Sequence, residues 1–483
     1  MIDLNEAFLY REPAERILIN GKPEAIKFLA SGACCLVYTR ADGSIIKEFF
    51  PVLSGHTPVL AREKRAVPMW EYDHASGKAV LREILVDTLT ELPILDSNKM
   101  LRDAYERCKE RFQENVVIAH AVEEEYRRRH GNMSVTQEEL SVDEGLWQSC
   151  PYSGGQVLDE YLCVCRDRSD RKRFFRIVLN VIYKLINDTM IYHRLGYINL
   201  DIKHHNLYAV TGDVAITDED DLARYSVASV RNLDFGSARR VSDLISDIRA
   251  KAGGTGFFSE FLVREISSEY FSTTERFYRE NAIKEVIRLC LNPRTPDAKK
   301  ETELKRLDAI AILKLMIYAL NDELDDDLGV SMEPAQSFRA GEACVDDMNF
   351  LLERMEDYMM GGTLFDSGDP FEDYDIYCRL YDLIYYVTSS DTDPDLSGFR
   401  DRIEQLLCIV GENPFPQYDL PPDIREELQL HREWARVGAE LLAENGLCTF
   451  EDIMKYCMKR SLLMPASPGE VYYSLLTGQA YEW

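Results

Sequence analysis

Basic residues are scarce in this sequence relative to acidic ones. The 483 residues include 56 Lys and Arg against 84 Asp and Glu, which gives a formal net charge of −28. Affinity for nucleic acid is built largely from Lys and Arg side chains that neutralise phosphates, and affinity for an anionic membrane surface has the same basis. The charge balance therefore argues against nucleic acid and membrane surfaces as partners, whereas it permits basic proteins.

Long hydrophobic runs are also lacking. The most apolar stretch, residues 309–320, is short and contains Lys314, so it predicts a buried helix and not a membrane span. The N-terminal residues show no apolar core of a signal peptide. The 12 cysteines are scattered, without the spacing of a zinc site or a disulfide framework. These absences predict a cytoplasmic protein with reduced thiols.

What remains is the composition of a folded globular chain. Hydrophobic residues make up 46% and aromatic residues 10%, which is enough to bury a substantial core. The apolar periodicity predicts strands first and helices later, which favours an α+β protein. The main predicted segments are strands within 25–40 and 44–50, a charged helical region at 97–129, a turn-rich boundary at 130–155, an amphipathic helix at 170–193 and mostly helices after 304.

Two segments near the N-terminus have the residue types of a nucleotide site. Gly32 stands at the tip of a predicted hairpin, where backbone N–H groups can approach a phosphate. Lys47 ends the apolar strand that follows, and there it can place one ammonium in a cleft. Taken alone, an ordinary β-turn and a solvated strand lysine are the simpler interpretations of these two features.

Two later segments carry polar residues that suit phosphoryl transfer. Asp201, Lys203 and Asn206 form a compact set directly after the long amphipathic helix. Asp can accept a hydroxyl proton, Lys can neutralise a phosphate and Asn can ligate a metal. Asp234 then ends an apolar run and precedes Phe235 and a glycine, and a carboxylate there suits Mg²⁺.

This ordered set resembles the protein-kinase signature of a Gly-rich loop, a strand lysine, a catalytic loop and a D-F-G sequence. The resemblance extends over about residues 20–410 and gains further support from several other segments. These are residues 193–201 beside the family's "LHxxGIIHRD", 154–162 beside "GGSLxxYL", 254–260 beside "GTxGYxxPE", and 308–313 beside "DIYSLGVIL", whose Asp braces the catalytic loop.

The resemblance implies a bilobal protein kinase-like fold with a β-rich N-lobe, a helical C-lobe and a helical C-terminal extension. The corresponding domains are 1–145 for the N-lobe, with an insert at about 51–100, then 146–410 for the C-lobe and 411–483 for the extension. The apolar helical faces of the extension are expected to dock on their own domain. Binding of another protein, or of a second copy, is the alternative.

The resemblance also implies how ATP would be held. Gly32 would belong to the phosphate loop, Val37 would pack on the adenine, and Lys47 would hold the α- and β-phosphates. The partner of Lys47 should be a glutamate of the charged helical region. Glu106, Glu110 and Glu114 recur on one helix face, and Glu114 is our choice.

The remaining roles concern the transfer itself. Asp201 would orient or deprotonate the acceptor hydroxyl, and Lys203 would contact the γ-phosphate. Asn206 and Asp234 would bind Mg²⁺. A lysine two residues after the aspartate is typical of Ser/Thr-specific members, so the resemblance implies an ATP- and Mg²⁺-dependent kinase whose substrate is a Ser or Thr hydroxyl of a protein.

Several positions depart from the family pattern. Ala30 and Cys35 replace glycines of the Gly-rich loop, and Ile45 replaces a small residue beside the adenine pocket. Asn199 and Leu200 replace the His and Arg before the catalytic aspartate. Loss of that Arg removes a partner for a phosphorylated activation loop, so we expect no switch of that kind.

The departures leave two alternatives open. One is a pseudokinase that binds partners without catalysis, and the other is a kinase-fold enzyme that transfers AMP. Retention of Lys47, Asp201, Asn206 and Asp234 favours catalysis, because loss of any one would remove a phosphate clamp, the base or a metal ligand. The adjacent His204 and His205 are interpreted as positioning residues of the loop, with metal ligation as the alternative.

Overall fold

The computed structural model shows an α+β protein with strands mainly before residue 160 and helices mainly after it. By chain contacts it divides into a first unit, residues 1–154 with Leu233–Gly236, and a second unit that contains the rest. The structure describes residues 16–19, 22–31, 35–41, 44–49, 62–73, 78–89, parts of 112–128, 138–140, 146–150, 155–210 except 168, 227–252 except 228, 234 and 236, 266, 280–322, 343–360, 370–410 except 390, 391 and 393, 441–462 except 448 and 461, and 468–477.

The first unit contains an antiparallel sheet with the strand order β1-β2-β3-β4-β8-β7. The central strand β4 is buried at residues 45–48, which explains why its sequence is a short apolar run and not an alternating one. The two predicted runs before residue 50 are confirmed as strands β2 to β4. The strand bounds are β1 Arg16–Ile19, β2 Lys22–Ser31, β3 Cys35–Arg40, β4 Ile45–Phe49, β7 Glu138–Leu140 and β8 Leu146–Cys150.

A second, two-stranded sheet occupies the predicted insert at 51–100. Strands β5 (Arg62–Asp73) and β6 (Lys78–Leu89) pair antiparallel along their whole length. Pro68 lies in the middle of β5, opposite Glu83. A two-stranded ladder has only edge strands, and an edge strand tolerates the missing N–H of proline.

The boundary between the units lies after Gly154, later than the predicted boundary at 145. The reason is that β8 (Leu146–Cys150) pairs with β4 and therefore belongs to the first sheet. Described residues on both sides of the predicted boundary at 410 belong to the second unit, and that boundary stays a prediction.

The second unit is built around two long helices, α2 (Arg171–Arg194) and α5 (Asp297–Leu320). Helix α5 is buried on nearly every side from Leu307 to Leu320, which is the pattern of a helix at the centre of a core. The buried helices predicted at 170–193 and 309–320 are thus confirmed. The helices are α1 Leu158–Asp167, α2 Arg171–Arg194, α3 Val241–Lys251, α4 Glu280–Leu291, α5 Asp297–Leu320, α6 Ala343–Met360, α7 Pro370–Thr388, α8 Leu396–Ile409, α9 Phe450–Lys459 and α10 Pro468–Thr477.

Short strands of the second unit frame a loop at residues 199–206. Strand β10 (Tyr197–Ile198) enters the loop and pairs with β13 (Arg239–Arg240). Strand β11 (Leu207–Val210) leaves it and pairs with β9 (Gly155–Val157) and β12 (Ser229–Asn232). The loop is therefore fixed at both ends by backbone hydrogen bonds.

Helix α9 of the predicted extension packs into the core of the second unit. The Phe450 ring lies 5.1 Å from the Tyr377 ring and 6.3 Å from the Tyr374 ring, and Ile453 is fully buried. A capping box between Thr449 and Asp452 fixes the start of the helix. Docking of the extension on its own domain is thus confirmed for α9, whereas residues 411–440 of the extension lie outside the described residues.

No helix in the described part of the chain is long and apolar enough to cross a membrane. Six cysteines carry free thiols, which agrees with the predicted reduced state. They are Cys163, Cys165, Cys290, Cys378, Cys408 and Cys457.

Candidate functional site

The loop at residues 199–206 begins at a buried carboxylate of helix α5. The Asp308 Oδ2 atom accepts a hydrogen bond of 2.8 Å from the Asn199 N–H, and its Oδ1 atom accepts one of 3.0 Å from the Leu200 N–H. The His193 Nε2 atom lies 2.9 Å from Oδ2. The contact expected between Asp308 and this loop is therefore present.

These contacts fix an unusual backbone conformation. Leu200 has a φ of +62°, in the left-handed region that residues with a side chain rarely adopt. Such a conformation persists only where the surroundings determine it, and here the Leu200 side chain is buried while its N–H is bound to Asp308. The residue before Asp201 is thus an apolar side chain that anchors the loop in the core.

Asp201 lies between an amide and an ammonium. The Asn206 Nδ2 atom donates to the Asp201 carboxylate at 2.9 Å and to the Asp201 carbonyl oxygen at 3.1 Å. The Lys203 ammonium lies 3.1 Å from the other carboxylate oxygen. The side chain of Asp201 keeps 15% of its surface exposed, and the structure brings the three predicted catalytic residues together around its carboxylate.

The orientation of the Asn206 amide follows from these contacts. An ionised carboxylate only accepts hydrogen bonds, so the amide must turn its NH₂ group toward Asp201. Its oxygen is then on the opposite side of the group. An amide oxygen is a ligand that suits Mg²⁺. The amide oxygen of Asn206, on the side away from Asp201, therefore fits the predicted metal-binding role.

Lys47 and Val37 are neighbours in the first unit. They are paired across strands β3 and β4, and the Lys47 side chain is buried. The Lys47 ammonium donates a hydrogen bond of 2.8 Å to the carbonyl oxygen of Leu233. A buried charge must be hydrogen-bonded, and this bond joins the strand lysine to the residue before Asp234.

Four of the predicted residues cannot be compared with the structure. Gly32, Glu114 and Asp234 lie outside the described residues, as does Thr255 of the predicted activation segment. Described residues between 112 and 128 are helical, as the sequence predicts for that region.

Sequence reasoning missed a contact between helix α1 and the loop at residues 199–206. The Asp159 Oδ2 atom lies 3.1 Å from the His205 Nδ1 atom, and the His204 and His205 rings are 3.8 Å apart. Burial raises the pKa of the Asp159 carboxyl, but the hydrogen bond and charge of His205 lower it more, and the net pKa is below its ordinary value. Nothing in the local sequence around Asp159 signals this contact.

A second missed contact is an ion pair in the core of the second unit. Arg231 of β12 donates a hydrogen bond of 2.7 Å to Asp188 of α2, and both side chains are almost fully buried. The pair connects β12, which lies just before Asp234 in the sequence, to helix α2, which lies just before the loop at residues 199–206.

A comparison with protein families finds no matching family, and no curated protein matches the chain. The functional proposal therefore depends on the residues of the loop and on the contacts that hold them.

Proposed function

We propose that this chain is a divergent protein kinase-like enzyme that transfers a phosphoryl group from Mg²⁺-ATP to a Ser or Thr hydroxyl of a protein. One observation carries the proposal: Asp201 is held between Asn206 and Lys203 on a loop that Asp308 fixes to the core helix. The β-rich first unit and the helical second unit agree with the bilobal fold that the proposal requires.

Asp201 is the residue that would act on the acceptor. Its carboxylate accepts a hydrogen bond from the Asn206 amide and lies 3.1 Å from the Lys203 ammonium. An ionised, partly exposed carboxylate can orient a hydroxyl and accept its proton. The Asn206 contact fixes the direction in which that carboxylate points.

The other residues would hold the nucleotide. Bound Mg²⁺-ATP would supply the phosphoryl group and the cation that neutralises its charge. In this proposal Asn206 would offer its amide oxygen to the cation, and Lys203 would contact the transferred phosphate. Lys47 would hold the inner phosphates and Val37 would pack on the adenine, while Gly32, Glu114 and Asp234 would have the roles that the resemblance implies.

The test is phosphate incorporation from labelled ATP. The full chain is incubated with Mg²⁺ and either γ- or α-labelled ATP, with mixed protein acceptors present. We expect label from the γ-position only, reduced at least about 100-fold in Asp201→Asn and in Asp234→Ala. Asp243→Asn, which changes an exposed aspartate of α3, is the matched control and should retain full transfer.

The alternatives correspond to other outcomes of the same assay. Label from the α-position, lost in the same variants, would replace the proposal with AMP transfer. Absence of label from either position, together with no thermal stabilisation by Mg²⁺-ATP, would replace it with a pseudokinase scaffold. A cytoplasmic location and a protein partner bound through the remaining parts of 411–483 stay predictions.

A further inference from the structure

Three potential metal ligands converge beside the loop at residues 199–206. Asp159 lies in the first turn of helix α1, whereas His204 and His205 form the short 3₁₀ turn that precedes β11. One ligand atom from each of the three side chains lies within 4.8 Å of the other two. None of the three has a role in the phosphoryl transfer proposed above.

We propose that Asp159, His204 and His205 form a binding site for a divalent first-row transition cation, with Zn²⁺ as its best match. Imidazole nitrogens and a carboxylate oxygen are ligands that Zn²⁺ and its neighbours prefer. A site with three protein ligands leaves a fourth position for water.

The spacing of the ligand atoms suits such a cation after a small adjustment. A tetrahedral Zn²⁺ with bonds of about 2.0–2.1 Å separates its ligand atoms by about 3.3 Å. The Asp159 Oδ2 and His205 Nδ1 atoms are already 3.1 Å apart. The longest separation, up to 4.8 Å, must shorten, and the His205 side chain can move because half of its surface is exposed.

The charges at the site also favour a cation. The Asp159 carboxylate can neutralise part of the charge of a divalent cation, and its Oδ2 atom already lies 3.1 Å from the His205 Nδ1 atom. A ligand atom of His204 lies within 4.8 Å of both.

Occupation of the site would crosslink helix α1 to the turn that carries Asn206. His204 is fully buried and His205 directly precedes Asn206, so a bound cation would restrain this turn in addition to the Asp308 contacts at the start of the loop. This inference is independent of the proposed phosphoryl transfer, since its test measures metal binding and stability.

The test is titration of the full chain with Co²⁺ and Zn²⁺ after removal of metals by a chelator. We expect one equivalent of Co²⁺ to bind with the visible absorption of a low-symmetry site, and Zn²⁺ to displace it. His205→Gln and Asp159→Asn should each weaken Zn²⁺ binding at least about tenfold. His120→Gln, which changes an exposed histidine of the first unit, should leave binding unchanged.

Thermal unfolding provides a second readout. Zn²⁺ should raise the melting temperature of the wild-type chain but not that of His205→Gln, whose own fold is checked by circular dichroism. Absence of saturable Co²⁺ or Zn²⁺ binding would overturn the proposal, and so would equal affinity in wild type and His205→Gln. Displacement of Co²⁺ by Mg²⁺ at similar concentration would also overturn it, because a hard cation does not select imidazole.

Discussion

The amide of Asn206 donates a hydrogen bond of 2.9 Å to the carboxylate of Asp201. The two residues are close in sequence, and the bond closes the loop that Asp308 fixes at its other end. The direction of the Asp201 carboxylate and the orientation of the Asn206 amide are therefore set by the same contact.

Replacement of Asn206 should separate catalysis from stability. Asn206→Ala removes the hydrogen bond to Asp201 and the proposed cation ligand, so we expect label transfer from γ-labelled ATP to fall at least about 100-fold. The Mg²⁺ concentration required for half-maximal transfer should rise. The free energy of unfolding should fall by only about 0.5–1.5 kcal/mol, because the side chain is partly exposed.

Asn349→Ala, at an exposed position of helix α6, is the control for this prediction. A wild-type rate in Asn206→Ala at every Mg²⁺ concentration would contradict the proposed role of Asn206.

The polar residues of the loop at 199–206 could be predicted because they are close to one another in the sequence. Asp201, Lys203 and Asn206 lie within a few positions of one another, so their spacing and type already indicated a shared site, and the structure brings them together. Long helices were predictable for a similar reason. The periodicity of 170–193 is a property of consecutive residues, and Asp170 is an N-cap whose side chain accepts from the Arg173 N–H at 2.7 Å.

Contacts between distant segments could not be predicted in the same way. Asp159 follows β9 and His205 precedes β11, and the pairing of these two strands brings the two residues together. The hydrogen bond from Lys47 to Leu233 depends on the fold of the first unit in the same way. Strands β5 and β6 were not predicted from the sequence. Pro68 lies in the middle of β5, and a proline argues against a strand unless that strand lies at the edge of a sheet.

Removal of the Asp308 carboxylate should destabilise the loop and the second unit together. Asp308→Ala leaves two buried backbone N–H groups without their acceptor, and we expect a loss of about 3–5 kcal/mol of unfolding free energy. Asp308→Asn keeps the shape and one acceptor oxygen, so it should lose less. Denaturant unfolding measures both values.

Asp357→Asn changes an exposed aspartate of α6 and should cost little. If Asp308→Ala unfolds at the same denaturant concentration as this control, Asp308 does not fix the loop.

The buried pair of Asp188 and Arg231 should behave as a coupled unit. Because each side chain is 97% buried, either Asp188→Leu or Arg231→Met removes one partner of a buried ion pair, and each should cost about 3–5 kcal/mol. The double variant Asp188→Leu with Arg231→Met replaces both charges with apolar groups, and it should be more stable than either single variant. Unfolding of the three variants completes a double-mutant cycle, and additive losses would contradict the coupling.

Helix α9 should contribute to the stability of the second unit. Phe450→Ala removes a buried ring that contacts Tyr374 and Tyr377, and we expect a loss of about 3–5 kcal/mol. Met458→Ala on the exposed face of the same helix should cost less than about 0.5 kcal/mol. Equal unfolding curves for the two variants would show that α9 does not dock on the second unit in solution.

The contact between Glu404 and Tyr183 should give a measurable pH dependence. Half-burial raises the pKa of the Glu404 carboxyl above its ordinary value, although the hydrogen bond of 2.9 Å from the Tyr183 hydroxyl and the charge of Arg400 act in the opposite direction. A folded-state pKa above the unfolded-state value means that the folded protein binds more protons. The contribution of Glu404 therefore favours folding in acid and is lost as the pH rises through the raised pKa.

Glu404→Gln keeps an acceptor for the Tyr183 hydroxyl and removes the titration. Relative to wild type, we expect this variant to gain stability between about pH 4 and about pH 7, because the wild-type carboxylate must ionise over that range while half-buried. Melting temperatures measured at several pH values test this, with Glu353→Gln on the exposed face of α6 as the control. A constant difference between Glu404→Gln and wild type across the range would show that the carboxyl has no raised pKa in the folded protein.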